Sequence, residues 1–180
     1  MHGTEAPSAW VKRWMHLVPE GGRVLDVACG AGRHLRLFSE ANRAVSGVDI
    51  AAAAIKSIAI EGAELVVADI ENGPWPFAGR QFDGVVVTNY LWRALLPTIV
   101  ASVAPGGALI YETFAVGNET VGKPTRPDFL LKPGELLAAC KDALRVVAYE
   151  DGFLDAPARY VQRIAAVREA PGSAAARHPL

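Results

Sequence analysis

Val24-Leu25-Asp26-Val27-Ala28-Cys29-Gly30-Ala31-Gly32-Arg33-His34 decides how this chain folds: an apolar strand runs into a tight glycine turn, and the turn opens a helix. Asp49 follows about twenty residues later, at the end of a second apolar run, Ala44 to Val48. Glycines let backbone approach a ligand with no Cβ in the way, and a carboxylate at the next strand end can accept both hydroxyls of a ribose. The pair therefore reads as a cradle for a nucleoside-bearing ligand. A dinucleotide cradle asks for a third glycine where Leu35 stands here. It also keeps acidic groups away from the pyrophosphate, whereas Asp26 sits at the tip of the first strand, where it would suit a cation. The residues favour a sulfonium ligand over a nicotinamide dinucleotide.

Outward from this turn, strand and helix patterns alternate. Pro7 to Val18 carries Trp10, Val11, Trp14 and Val18 on one helical stripe. Strands are expected at Arg23–Val27, Ala44–Val48, Glu64–Ala68, Asp83–Thr88 and Ala108–Thr113, with helices at 32–41, 51–60, 97–104 and 133–141 between or after them. Leu144–Tyr149 and Tyr160–Val167 read as closing strands. Glu71 to Gly79, with Asn72-Gly73-Pro74 and Pro76, reads as a loop. Phe114 to Lys132 is a long unpatterned loop of the kind that often forms a lid or binding element. This is a doubly wound, Rossmann-like α/β pattern in three layers. Residues 1–169 form its single domain, with 1–20 a helix and candidate lid, and 170–180 are expected as a flexible tail. Trp10 and Trp14, four apart, suit a packing face as well as a lid.

The 180 residues carry 18 Lys+Arg against 19 Asp+Glu, so no basic excess advertises a large nucleic-acid footprint. Two cysteines, Cys29 and Cys140, stand far apart without metal-ligand spacing and no metal is expected; a reduced, cytoplasmic protein follows. The first 22 residues lack the apolar core of a signal peptide, and no window approaches a membrane span.

Val24 to Gly32 resembles the first motif of class I S-adenosylmethionine-dependent methyltransferases, and Val48-Asp49-Ile50 resembles their second acidic site. Val67-Ala68-Asp69-Ile70 is similar to the third, and Phe82 to Tyr90 to the fourth, the strand that ends beside the transferred methyl. Four elements in order are far more specific than any one alone. Short length and the Cys-Gly-x-Gly-Arg turn look closest to the small tellurite-resistance-type branch.

The resemblance implies a mostly parallel seven-stranded sheet whose antiparallel last strand lies between strands five and six. S-adenosyl-L-methionine is the implied cofactor. Asp26, Ala28, Cys29, Gly30 and Gly32 would surround its methionine end, with Arg33 against the carboxylate. Asp49 would take the ribose, Ile50 and Ile70 the faces of the adenine, and Asp69 its amino group. Cys29 reads as a packing residue rather than a nucleophile. Capping explains Asp49, and a turn explains Asp69, equally simply. His34 faces either the acceptor pocket or solvent.

Asn89, Tyr90 and Tyr111, at the ends of strands four and five, are candidate catalytic residues on the acceptor side, although Tyr111 could equally point into the core. Asn89 would also touch the cofactor. Glu112 is a weaker acid or base candidate, and Lys123 and Arg126 are candidate acceptor contacts or solvated loop charges. No residue stands out as an obligatory base, which favours a polarisable or pre-ionised small-molecule acceptor. The alternatives are an RNA-modifying methyltransferase, marked by a basic face of Arg33, Arg36, Arg93, Lys123 and Arg126, and a non-catalytic cofactor-binding module whose pocket Trp92 or Phe114 would fill. A monomer or homodimer without membrane partners is expected.

Overall fold

Ser8, the residue before the first helical turn, accepts hydrogen bonds from the backbone N–H groups of Trp10 and Val11, which starts α1 (Ala9–Trp14). The computed structural model describes residues 6–172, 174 and 176–180. After α1 come β1 (Arg23–Val27), α2 (Arg33–Glu40), β2 (Ala44–Asp49), α3 (Ala52–Lys56), β3 (Glu64–Val67) and β4 (Phe82–Thr88). Then follow α4 (Leu96–Ala101), β5 (Val103–Phe114), α5 (Glu135–Cys140), β6 (Arg145–Asp155) and β7 (Ala158–Val167).

The strands form one seven-stranded sheet in the order β3-β2-β1-β4-β5-β7-β6. β3, β2, β1, β4 and β5 are parallel, and β7 pairs antiparallel with both β5 and β6. Strands β1 and β4 are buried on both faces, which explains why each is mostly apolar rather than alternating, with Asp26 and Asp83 as the acidic exceptions. One face packs Trp10, Trp14, Val18, Leu35, Phe38 and Ile55 against Val24, Val86 and Ile110. The other packs Phe77, Leu96, Ile99, Leu131 and Leu136 against Leu25, Val85 and Leu109. Gly47 allows the closest of these approaches: a Cβ there would lie 2.7 Å from Leu35 Cδ1 and 2.9 Å from Cys29 Sγ.

Several boundaries differ from the sequence expectation, each for a local reason. α3 stops at Lys56 rather than near residue 60, because the Ser57 hydroxyl donates to the Ala54 carbonyl and Ile58 turns in over Gly32. β5 begins at Val103, through the turn residues Pro105-Gly106-Gly107, since Phe82 pairs with Val103 before the register shifts and Gly84 pairs with Ala108. The β6–β7 hairpin runs past both expected strands, with Phe153 against Tyr160 at 4.9 Å. Both α1 tryptophans are buried, and Trp10 Nε1–H donates to the Ile164 carbonyl, so the candidate lid helix is a core element docked on the sheet. Beyond β7 the described residues form no regular element, yet the Pro179 carbonyl lies 3.2 Å from His16 Nε2.

Candidate functional site

Strand order reverses between β1 and β4, and open α/β sheets bind ligands at such a point, outside the carboxyl ends of the strands. The chain leaves both tips strained: Ala28 after β1 has φ +56° and Asn89 after β4 has φ +55°, conformations that cost a non-glycine residue about 1–3 kcal/mol. Between them opens a cleft of about 630 Å³ that also takes in Arg33, His34, Asp49 and Thr88. A second cavity of about 390 Å³ continues towards Ile50, Asp69 and Ile70, sharing Ala28, Asp49, Glu71 and Tyr90 with the first.

The inner wall is the turn. Gly30 and Gly32 both have positive φ, and a Cβ at Gly30 would meet nothing within 4 Å, so its backbone stands open to the cleft. Asp49 Oδ2 accepts from Gly30 N at 2.8 Å and Oδ1 from Ala51 N at 2.8 Å. One carboxylate thus holds the turn and the Ala51 N–H, with lone pairs still free; it is not the cap of α3, whose N-cap is Ala51 with no side-chain cap bond. Cys29 packs beneath; burial, with the charges of Asp26 and Asp49, pushes its thiol far above the ordinary value.

Asp26, only 1% exposed, lies behind the turn, and its Oδ2 has no hydrogen-bond partner among the described residues. The nearest group is Nδ1 of His34 at 3.8 Å. His34, itself 2% exposed, accepts the Ser8 backbone N–H at Nε2 (3.1 Å), so that nitrogen carries no proton and Nδ1–H faces the carboxylate. Arg33 Nη2 donates to the Thr88 hydroxyl at 3.3 Å, tying the start of α2 to the tip of β4.

On the far side, Asp69 caps its own turn, accepting from Glu71 N, Asn72 N and Asn72 Nδ2. The Asn72 contacts and the Glu71 N–H hold its carboxyl below the usual range. Ile50 presents 67% of its surface beside this cavity, while Ile70 is buried in it. Tyr90 stands between the two cavities; burial first, then the charge of Glu71, raises its hydroxyl well above the ordinary value.

Tyr111 does not line the cleft. It is fully buried and its hydroxyl donates to the Tyr90 carbonyl at 2.7 Å, which positions Tyr90 from behind. Glu112 is also withdrawn: Ser8 Oγ, Arg159 and Arg163 surround its buried carboxylate. The outer wall is Phe114, Lys123, Pro124 and Phe129, from the long loop. That loop is anchored rather than free, through Asn118 Nδ2 to the Pro124 carbonyl and Arg93 to the carbonyls of Asp128 and Leu130. Arg93 also forks onto Glu135, and Arg126 pairs with Asp128, so these two cations of the candidate basic face are already engaged.

Glu71, Thr113 and Phe129 line the cleft without having been singled out from sequence. Glu71 was signalled by its place two residues past Asp69 at a strand end. Phe129 had no such signal, since Arg93, which places its loop, is distant in sequence.

A family model described as a methyltransferase domain matches residues 24–107, the span from β1 through the turn into β5. A malonyl-[acyl-carrier protein] O-methyltransferase of Serratia marcescens is 29% identical over 106 residues, covering 54% of this chain and 40% of that relative's length. Among solved structures, a TehB-like S-adenosylmethionine-dependent methyltransferase from Corynebacterium glutamicum superposes with a TM-score of 0.67 at 16% identity, over 92% of this chain and 90% of that one. TehB from Haemophilus influenzae does so with a TM-score of 0.72 at 19% identity, over 93% and 64%. These two likenesses concern the fold. The family model runs through the glycine turn and all three acidic strand ends, and together these findings support a class I S-adenosylmethionine-dependent methyltransferase.

Proposed function

We propose that this protein moves a methyl group from S-adenosylmethionine to a small-molecule acceptor held in the outer half of the cleft. The observation that carries this reading is the cleft itself: about 630 Å³, continuous from the glycine turn to the ends of β4 and β5, within the size range of small-molecule sites. Neither Trp92 nor Phe114 fills it, which speaks against a non-catalytic module.

The residues suit the cofactor. Asp26 offers a buried carboxylate oxygen that no described residue satisfies, behind a turn whose backbone is open at Gly30. On this reading Asp26, acting through the turn and His34, and Ala28, Cys29, Gly30, Gly32 and Arg33 hold the methionine end, and Asp49 holds the ribose. Exposed Ile50 and buried Ile70 enclose the adenine, with Asp69 at its edge, and Asn89 meets the cofactor from the larger cavity. When bound, the cofactor supplies a methyl group already activated on a cationic sulfur.

The chain's own part is placement and exclusion of water. Phe114, Phe129, Tyr90 and Leu91 make the acceptor half apolar, and aligning two partners in such a pocket lowers a barrier by up to about 7–11 kcal/mol in favourable model reactions. Raised above their ordinary values, the Cys29 thiol and Tyr90 hydroxyl stay protonated at neutral pH, so neither serves as a base. An acceptor that arrives ionised or polarisable needs none. The Serratia relative is named for an O-methylation, which admits an oxygen-centred acceptor to this class. Two free, buried cysteines fit a reducing cytoplasm.

The test is incubation with methyl-labelled S-adenosylmethionine and separate metabolite, RNA and protein fractions. Label is expected in the metabolite fraction; label confined to RNA or protein overturns the small-molecule reading.

A further inference from the structure

We propose that the acceptor carries one anionic group, of the carboxylate kind, on an apolar or aromatic body, and that Lys123 selects it. This rests on the methyltransferase reading and deepens it.

The outer wall of the cleft is fixed by two polar side chains, the buried Asn118 and the partly exposed Arg93. Asn118, 1% exposed within the loop, donates from Nδ2 to the Pro124 carbonyl and accepts at Oδ1 from Tyr160 N, both at 3.2 Å. Pro124 is the residue after Lys123, so this amide sets where Lys123 leaves the chain. Arg93 donates to the carbonyls on either side of Phe129, at 2.8 Å to Asp128 and 2.8 Å to Leu130. Two of the loop's cleft-lining side chains, Lys123 and Phe129, therefore stand on a prepared support rather than on a drifting strand of coil.

Charge is distributed unevenly around that support. Lys123 makes no hydrogen bond or ion pair among the described residues, although it lines the cleft. The other cations nearby are engaged: Arg93 with Glu135, Arg126 with Asp128, and Arg33 with Thr88. Of the carboxylates around it, Glu112 is turned to Arg159 and Arg163, Glu135 to Arg93 and Glu119 to the Gly117 N–H. Asp49 and Glu71 line the same cleft, Asp49 holding Gly30 N and Glu71 beside Tyr90, and neither forms an ion pair with Lys123 among the described residues. What remains is the solvent-exposed side chain of Lys123, which lines the cleft together with Phe114, Pro124 and Phe129. An apolar wall lowers the local dielectric, so an anion on a flat or apolar body gains more there than at an open surface.

Benzoate and benzamide, with the same ring and different charge, test this on protein saturated with S-adenosylhomocysteine, by calorimetry or ligand-observed NMR. Benzoate is expected to bind at least about fivefold more tightly than benzamide, and the preference should shrink as salt rises. Lys123→Gln should abolish the preference and Lys123→Arg keep it, with affinity for S-adenosylhomocysteine changed less than about twofold in both. Equal or absent binding of the two probes by wild type overturns the proposal, as does a preference that survives Lys123→Gln. So does a loss of S-adenosylhomocysteine affinity in Lys123→Gln, which would assign the lysine to the cofactor. If wild type fails to bind S-adenosylhomocysteine at all, the methyltransferase reading falls instead.

Discussion

The two walls of the cleft are built by different means. On the inner wall the ligand-facing groups are backbone and a few short side chains, and the decisive tie joins Asp49 to Gly30, nineteen residues apart. On the outer wall they are long side chains on a loop, held by Arg93 to Glu135 across forty-two residues and by the Tyr160 N–H to Asn118 across another forty-two. A wall of strand tips and turn can hold an unchanging ligand with little dependence on the rest of the chain. A loop wall can be rebuilt for a new acceptor without disturbing the sheet beneath it.

If the walls are separate in this sense, a change in one should leave the other's ligand alone. Asp49→Ala should give the largest effect. Two hydrogen bonds to a charged group are lost, and affinity for S-adenosylhomocysteine should fall at least about 100-fold, or ~2.7 kcal/mol, with the circular dichroism of the apoprotein unchanged. Its ligand-induced rise in melting temperature should vanish as well. An undiminished shift would remove Asp49 from the ribose site and the comparison with it.

Arg93→Ala strikes the other wall. It strips a fork from Glu135 and two carbonyls of their donor, for which about 2 kcal/mol of stability, or a fall of roughly 4–8 °C in melting temperature, is expected. The affinity for S-adenosylhomocysteine should stay within about twofold. A loss as large as that of Asp49→Ala would mean that the walls are one unit.

The same division governs what could be read from the chain alone. Strand, glycine turn and helix are local patterns, and Asp26, Asp49 and Asp69 each stand at or beside the end of an apolar run, so the sheet and inner wall follow from short-range rules. The order of the last strands is different, because composition cannot say that β7 inserts between β5 and β6; it came with the family resemblance. Tyr111 illustrates the limit within a strand. It sits at the end of β5, as an acceptor-facing residue would, but alternation along a strand buried on both faces does not tell cleft from core. Only the Tyr90 carbonyl 2.7 Å from its hydroxyl resolves the question. His34 likewise reads as an ordinary helix residue until Ser8, twenty-six residues earlier, is found against its ring.

Ser8 ties α1 to the inner wall and to the end of β5 behind the cleft, since it caps α1, donates its N–H to His34 and its hydroxyl to Glu112. Ser8→Ala removes the cap and the hydroxyl bond and leaves the N–H, so about 1 kcal/mol of stability should be lost in chemical denaturation. Cofactor affinity should move little, because the tautomer of His34 is kept. Ser8→Pro also removes the N–H, at a residue whose φ of −53° suits proline. A drop in S-adenosylhomocysteine affinity peculiar to Ser8→Pro would sharpen the picture by assigning His34 Nδ1–H to the cofactor side. Equal affinities in the two variants would confine Ser8 to stability.

The smallest effect is that of acid on the outer wall. Burial alone would raise the Glu135 carboxyl, but the Arg93 fork, the Lys132 N–H and their charges outweigh it and hold it below its ordinary 4.5. A group whose folded value is depressed contributes fully above the unfolded value, and that contribution disappears as pH falls through the folded one. Half-exposed ion pairs are screened, so the contribution at neutral pH should be no more than about 1 kcal/mol. Glu135→Gln isolates it, because Glu64 and Asp69, also depressed, titrate alike in both proteins and cancel. The stability difference between wild type and Glu135→Gln should hold steady from pH 7 to 5 and close below about 4.5. A difference unchanged at pH 3 would mean that the arginine grips its two carbonyls, and not the carboxylate, to keep the loop in place.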